Sequence, residues 1–184
     1  MLASAPTKCS PGTSYCVVTG INPLTGMTRH TDYIINLSLI EILMERIEKY
    51  LKKHNTMTIA TVGKKGISAA AVFYAETKKC DYLVFVSSPK SEHIANSLVE
   101  KRCAVTIQND GLDWEIIKGL QIKGNVELAD ENDWNIYFEK FPYIKDNKTL
   151  SKSLEKVDLY KFTFSWARLI DNSKGFGNRF EIDF

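Results

Sequence analysis

The chain has 184 residues, 44% of them hydrophobic and 25% charged, a composition that builds one ordinary globular core and excludes a wholly disordered chain. The formal net charge is +2 with both signs interspersed, so there is no basic stripe for nucleic acid and no polybasic patch for a membrane surface. No apolar run reaches bilayer-crossing length and no basic-then-apolar leader opens the sequence, so the expected location is the cytoplasm.

Residues 1–36 carry Pro6, Pro11, Gly12, Gly20, Pro23 and Gly26 with little periodicity, which predicts a loop-rich or partly disordered extension, with room for a short hairpin. Cys9 and Cys16 fall in this stretch, where a disulfide would staple only local chain. With Cys80 and Cys103 they show no C-x-x-C spacing, so free thiols are expected and no zinc site. Residues 37–184 form the predicted domain. Ser38 with Glu41 makes a capping box, and Ile40, Leu43, Met44, Ile47 and Leu51 recur at helical spacing as far as His54-Asn55. Thr56 to Val62 then alternates as a strand, and Gly63-Lys64-Lys65-Gly66 turns it into a second strand, Ile67 to Ala75.

A third strand, Asp81 to Val86, stops at Ser87-Ser88-Pro89-Lys90-Ser91. Ser88 is a good N-cap and Pro89 suits the first helical position, which predicts a helix from there to Arg102 with Ile94, Ala95, Leu98 and Val99 facing inward. The free amides of Lys90 and Ser91, the helix dipole, the Lys90 ammonium and the hydroxyls of Ser87, Ser88 and Ser91 would then form an anion cradle; a plain capped surface helix is the alternative. Cys103 to Gln108 reads as a fourth strand and Ile116 to Leu128 as a fifth, with Gly119 and Gly124 as bend or bulge points. Asp130 caps a helix whose Trp134, Tyr137, Phe138 and Phe141 share a side and read as core, ended by Pro142. A short helix near Leu150 to Lys156, a strand from Asp158 to Ile170, a turn over Asp171 to Gly177 and a last strand, Arg179 to Phe184, complete the chain. Strands joined mainly as hairpins, with helices at the corners, define a mainly β, α+β fold: a small antiparallel barrel.

In this order the hairpin Thr58 to Val62 and Ala69 to Ala75, the turn Ser87 to His93, and Lys118-Gly119-Leu120-Gln121-Ile122-Lys123-Gly124 resemble the pyridoxamine 5′-phosphate oxidase-like FMN-binding split-barrel superfamily. The ending, Trp166 to Gly177, resembles its bacterial YhbP-like branch, which has no firmly assigned reaction. The resemblance implies a homodimer with shared FMN sites. Ser87, Ser88, Lys90 and Ser91 would meet the flavin phosphate, and Ala71, Val72, Phe73 and Tyr74 would meet the ring through main-chain groups, with Gln121 beside them. It also implies an oxidoreductase that exchanges hydride or electrons with a small planar substrate or electron donor; a non-catalytic flavin or haem binder is the alternative. Where oxidases acting on pyridoxamine phosphate resemble one another in a second-strand arginine, this chain has Ala71, and Asn178-Arg179 only partly echoes their C-terminal arginine and histidine pattern.

Other residues carry two readings each. His93 can meet a ligand edge or face solvent. Gln108 and Gln121 interrupt apolar strands, to read polar ligand atoms or to face water. Trp114 and Trp166 can wall a planar ligand or anchor a core or interface. Phe176 between two glycines can move over a site mouth or sit in a plain loop, and Arg179 is a further possible ligand contact. No Ser-His-Asp, paired-carboxylate or metal-ligand cluster emerges, which argues against hydrolase chemistry but suits a flavoenzyme, whose cofactor supplies the reactivity.

Overall fold

The computed structural model describes residues 30–184, with side chains from Ile40 onward. The expected extension, including Cys9, Cys16 and any hairpin, lies mostly outside the described residues. Helix α1 (His30–Lys52) crosses the expected boundary at residue 36. Ser38 is therefore inside the helix rather than its cap, because Ile34 and Leu37 continue the helical spacing and no Gly or Pro breaks it.

Seven strands follow: β1 (Thr56–Gly63), β2 (Gly66–Glu76), β3 (Tyr82–Ser87), β4 (Arg102–Gln108), β5 (Lys118–Leu128), β6 (Asp158–Asp171) and β7 (Arg179–Asp183). They pair antiparallel in the order β3-β2-β1-β4-β5-β6-β7, and a β3–β6 pairing closes six of them into a barrel. Strand β6 does this with one edge: residues 158–163 pair with β3 and residues 166–170 pair with β7. Its other edge pairs with β5 along nearly the whole length, with a register shift at Lys123/Gly124. Gly124 is required there, since a Cβ would lie 2.1 Å from the Thr163 carbonyl oxygen. The fifth strand starts later than expected, after a 3-10 turn at Trp114–Ile116.

Alternation along the strands sends Met57, Ile59, Val105, Ile107, Leu120, Ile122, Phe162 and Leu169 inward. Helix α1 adds Ile47, Tyr50 and Leu51 to this core, and the Tyr50 hydroxyl donates to the Lys118 carbonyl at 2.9 Å. A second cluster lies outside the barrel wall, where Tyr137 of α3 (Trp134–Lys140), Phe141 at its C-cap and Ile144 of α4 (Tyr143–Asp146) cover Ala75, Val84 and Leu159. The aromatic stripe is thus core. Lys140 ties this excursion to the far side: its Nζ donates to the His54 carbonyl at 2.7 Å, pairs with Glu76 and sits 4.3 Å from the Tyr74 ring centre. A last short helix, α5 (Lys148–Leu154), is capped by Asn147, whose side chain accepts from the Thr149 and Leu150 amides.

Helix α2 (Glu92–Val99) covers one end of the barrel, and both its start and its inner face differ from expectation. It begins at Glu92 because Ser88 to Ser91 close a β-turn, with the Ser91 amide donating to the Ser88 carbonyl at 3.0 Å and Pro89 at the turn's second position. It buries Ile94 as expected, but together with His93, Asn96 and Ser97, while Ala95, Leu98 and Val99 are exposed. The barrel end explains this reversal: Thr61 points into it and takes a hydrogen bond from Asn96 Nδ2 at 3.3 Å, and Ser97 Oγ lies 3.6 Å from Cys103 Sγ. Both described cysteines, Cys80 and Cys103, are free and buried.

Candidate functional site

The turn after β3 gathers three of the singled-out side chains. His93 Nε2 is 2.8 Å from Ser87 Oγ, which is 3.1 Å from Ser91 Oγ, and Ser91 Oγ donates to the Ser88 carbonyl at 2.7 Å. One proton arrangement satisfies every hydroxyl: His93 Nε2–H to Ser87, Ser87 to Ser91, Ser91 to the Ser88 carbonyl. His93 is therefore buried rather than solvent-facing, and burial pushes its imidazole below the ordinary value of 6.5.

This network changes which amides are open to an anion. The Lys90 and Ser91 amides, expected to be free, are used inside the turn, on Ser88 Oγ at 3.3 Å and the Ser88 carbonyl at 3.0 Å. Ser91 is the N-cap of α2 but makes no side-chain cap bond, because its hydroxyl points back to Ser88. The helix-start N–H groups of Glu92, His93 and Ile94 consequently lack the usual serine acceptor. Lys90 is exposed beside them. Uncapped helix-start amides, a dipole and one mobile ammonium are a donor set that fits a phosphate monoester.

The outer face of the barrel holds most of the other candidates in continuous cross-strand rows. One row runs Ala71, Thr58, Thr106, Gln121, Arg168, Glu181, and the next Ala69, Ala60, Ala104, Lys123, Trp166, Asp183. Ala71 and Gln121 thus share a row with two threonines between them. Arg168 Nε donates to Glu181 at 2.9 Å, and its Nη1 lies 3.5 Å from Gln121 Oε1. Trp166 is flanked by Lys123, 4.6 Å from its ring centre, and by Arg168 at 4.8 Å. The alanine and threonine half of these rows is a smooth surface edged by the exposed Val62, Ile67 and Phe73. At its Val62 end, Ala60, Ala104, Lys123 and Ser165 help line an open cavity of about 620 Å³.

Within the second strand, Ala71 and Phe73 face outward, and Val72 is half-buried against the core. Tyr74 is fully buried: its hydroxyl donates to the Leu51 carbonyl at 2.8 Å, its amide to the Asn55 carbonyl at 2.9 Å, and burial raises its phenol pKa. Gln108 shares a third row with Gly119, Ile170 and Arg179. Arg179 is exposed and lies 3.7 Å from Glu181. Trp114, in the 3-10 turn before β5, and Phe176, in the β6–β7 connection, are both exposed. Thr58, Thr106 and Arg168 were not singled out from the sequence. Their signal was the alternation of β1, β4 and β6, which places small or polar residues on one face.

Together these features define a closed antiparallel split barrel with an anion-compatible turn beside a smooth outer sheet face. The family model described as pyridoxamine 5′-phosphate oxidase matches residues 43–171, and the chain belongs to that family. Two UPF0306 proteins of Campylobacter jejuni are 26% identical to it over 138 residues, spanning 75% of this chain and 96% of theirs. Among solved structures, Campylobacter jejuni ChuZ is similar with a TM-score of 0.64 at 18% identity, covering 83% of this chain and 67% of its own. HutZ, the haem storage protein of Vibrio cholerae, gives 0.53 at 16% identity over 65% and 88%. These structural likenesses concern the fold. Among the described residues no helix is long and apolar enough to cross a membrane, and no group of three or more His, Cys, Asp and Glu is placed to hold a metal ion.

Proposed function

We propose that this protein binds FMN at sites shared between two copies of the chain and passes hydride or electrons between a reduced donor and a small planar acceptor. The observation that supports it most is the N-cap serine that does not cap: Ser91 turns away and leaves the start of α2 open beside Lys90. In this reading the phosphate lies against the Glu92 and His93 amides, with Lys90 supplying the full positive charge and Ser88 a hydroxyl. His93 holds Ser87 and Ser91 in place from below. The edge of β2 that β3 leaves unpaired at Ala71, Val72 and Phe73 meets the ring, while Tyr74, buried and paired with Phe85, supports that edge from within; the alanine and threonine rows leave room for a flat group and a second copy. Gln121, positioned by Arg168, offers an amide further along the Ala71 row, beyond Thr58 and Thr106. The flavin supplies the hydride or electron chemistry when bound; the chain's task is to orient it, exclude water and stabilise its phosphate.

Reconstitution tests this reading. The expected result is flavin absorbance retained through gel filtration and bleached anaerobically by NADH or NADPH. Failure of both retention and reduction overturns it. The alternative, a non-catalytic binder of flavin or haem, draws support from the haem named for HutZ. Against it, the two histidines whose side chains are described have their ring Nε2 atoms already engaged, His54 with Asn109 and His93 with Ser87. A saturable Soret shift with haem, and no flavin turnover, would favour the alternative.

A further inference from the structure

We infer that the chain carries a second anion site, remote in sequence from the turn at Ser87, which takes a small polyvalent phosphate. It is a cavity of about 200 Å³ between the C-terminal half of α1 and the β4–β5 connection, with Arg46, Lys49, Lys53 and Lys118 among its lining residues. Tyr50, His54 and Asn109 complete the lining, and no carboxylate is part of it.

One buried carboxylate stands behind this cluster, and it is saturated. Asp171 Oδ2 takes both Arg46 Nη2 at 3.1 Å and Lys118 Nζ at 2.9 Å, and Oδ1 accepts from Ser173 at 2.6 Å. A single negative charge cannot balance two cations, so the pair keeps an excess positive charge at the cavity wall. Arg46 is also stacked on Phe180, 4.3 Å from the ring centre, which fixes its guanidinium while only Nη2 is used on Asp171. Lys49 meets only the exposed Glu45, and Lys53 has no ion-pair partner among the described residues.

Basic residues commonly gather at a helix C-terminus to complement its dipole. Here that role is already filled: Lys140 donates to the His54 carbonyl, and the Lys53 and His54 amides take the carbonyls of Tyr50 and Leu51. Lys49 and Lys53 are left to face the cavity. Its volume lies below the roughly 300 to 1,000 Å³ of pockets for drug-sized ligands. It suits a phosphate or diphosphate group with little attached, not a dinucleotide.

Titration calorimetry of the full chain with inorganic pyrophosphate at about 0.15 M salt tests this. The wild type should bind saturably, and Lys90→Ala should keep the site, since that lysine belongs to the other turn. Lys49→Gln combined with Lys53→Gln, at exposed positions that leave Asp171 paired, should weaken binding by at least about tenfold in the Lys90→Ala background. An unchanged affinity in that variant, no saturable binding at millimolar pyrophosphate, or loss of all binding on Lys90→Ala would each overturn the assignment. So would a single-stranded oligonucleotide that binds through the same two lysines more tightly than pyrophosphate. FMN retention plays no part in this readout, so the flavin reading can fail while this one stands.

Discussion

His93, the second residue of α2, holds Ser87, the last residue of β3, by a buried hydrogen bond of 2.8 Å. The bond joins the two elements that frame the candidate phosphate turn, and its geometry makes stability depend on pH. Burial lowers the folded imidazole below 6.5, so on acidification the unfolded chain takes up the proton first. Stability is therefore full above pH 6.5 and falls as pH drops from there toward the folded value. Urea unfolding at pH 8 and pH 5.5 should show a drop for wild type that is smaller for His93→Gln. Ser87→Ala should cost about 1 kcal/mol at pH 8, the usual net value of such a bond. Equal pH dependence in wild type and His93→Gln would place the titrating group elsewhere.

Lys90→Ala should weaken FMN binding by roughly 1.5 to 3 kcal/mol and leave the melting temperature unchanged, since the lysine is exposed. Riboflavin lacks the phosphate and should bind wild type and variant equally in a fluorescence titration. An equal loss for both ligands would move Lys90 away from the phosphate.

Gly63 approaches α2 so closely that a Cβ would lie 1.8 Å from Asn96 Oδ1. Asn96 is buried and its amide is committed to Thr61, so it cannot simply swing away. Gly63→Ala should cost roughly 1 to 3 kcal/mol in chemical denaturation, as overpacking does. Adding Asn96→Ala should recover part of that loss, and a strictly additive double variant would contradict the contact.

The outer face carries the alanines Ala69, Ala60 and Ala104 in one row, with Val62 and Ile67 exposed beside them, 47% and 84% respectively. An isologous partner seated there should bury at least roughly 2,000 Å² in total and resist dilution to low micromolar concentration. Sedimentation equilibrium should report a dimer for wild type and a folded monomer with weaker FMN retention for Ala104→Glu. A monomeric wild type, with and without FMN, would sink the shared-site reading.

How much of this was legible follows from what each signal depends on. Strands β1 to β7 could be read because burial on one face imposes alternation, and Gly63 to Gly66 and Gly124 marked the first turn and the bulge. The start of α2 could not, because Pro89 suits both a helix's first position and a turn's second, and only the tertiary role of Ser91 decides between them. Its inner face follows the apolar spacing only at Ile94 and departs from it at Leu98 and Val99. The barrel end instead presents Thr61 and Cys103, and polar partners satisfy it better than Leu98 and Val99 would. The turn at Ser87 was visible as a motif; the rows linking Ala71 to Gln121 depend on register between strands far apart in sequence, which local patterns do not carry.

The division of one edge of β6 between β3 and β7 gives the C-terminal strand a protective role. Residues 166–170 have β7 as their partner on that side. If β7 were cut away, a short row of unpaired N–H and C=O groups would lie open along a strand that carries Trp166 and Leu169, a ready template for another chain. Removing residues 179–184 should therefore make the barrel aggregate in a concentration-dependent way before it lowers the barrel's own cooperativity.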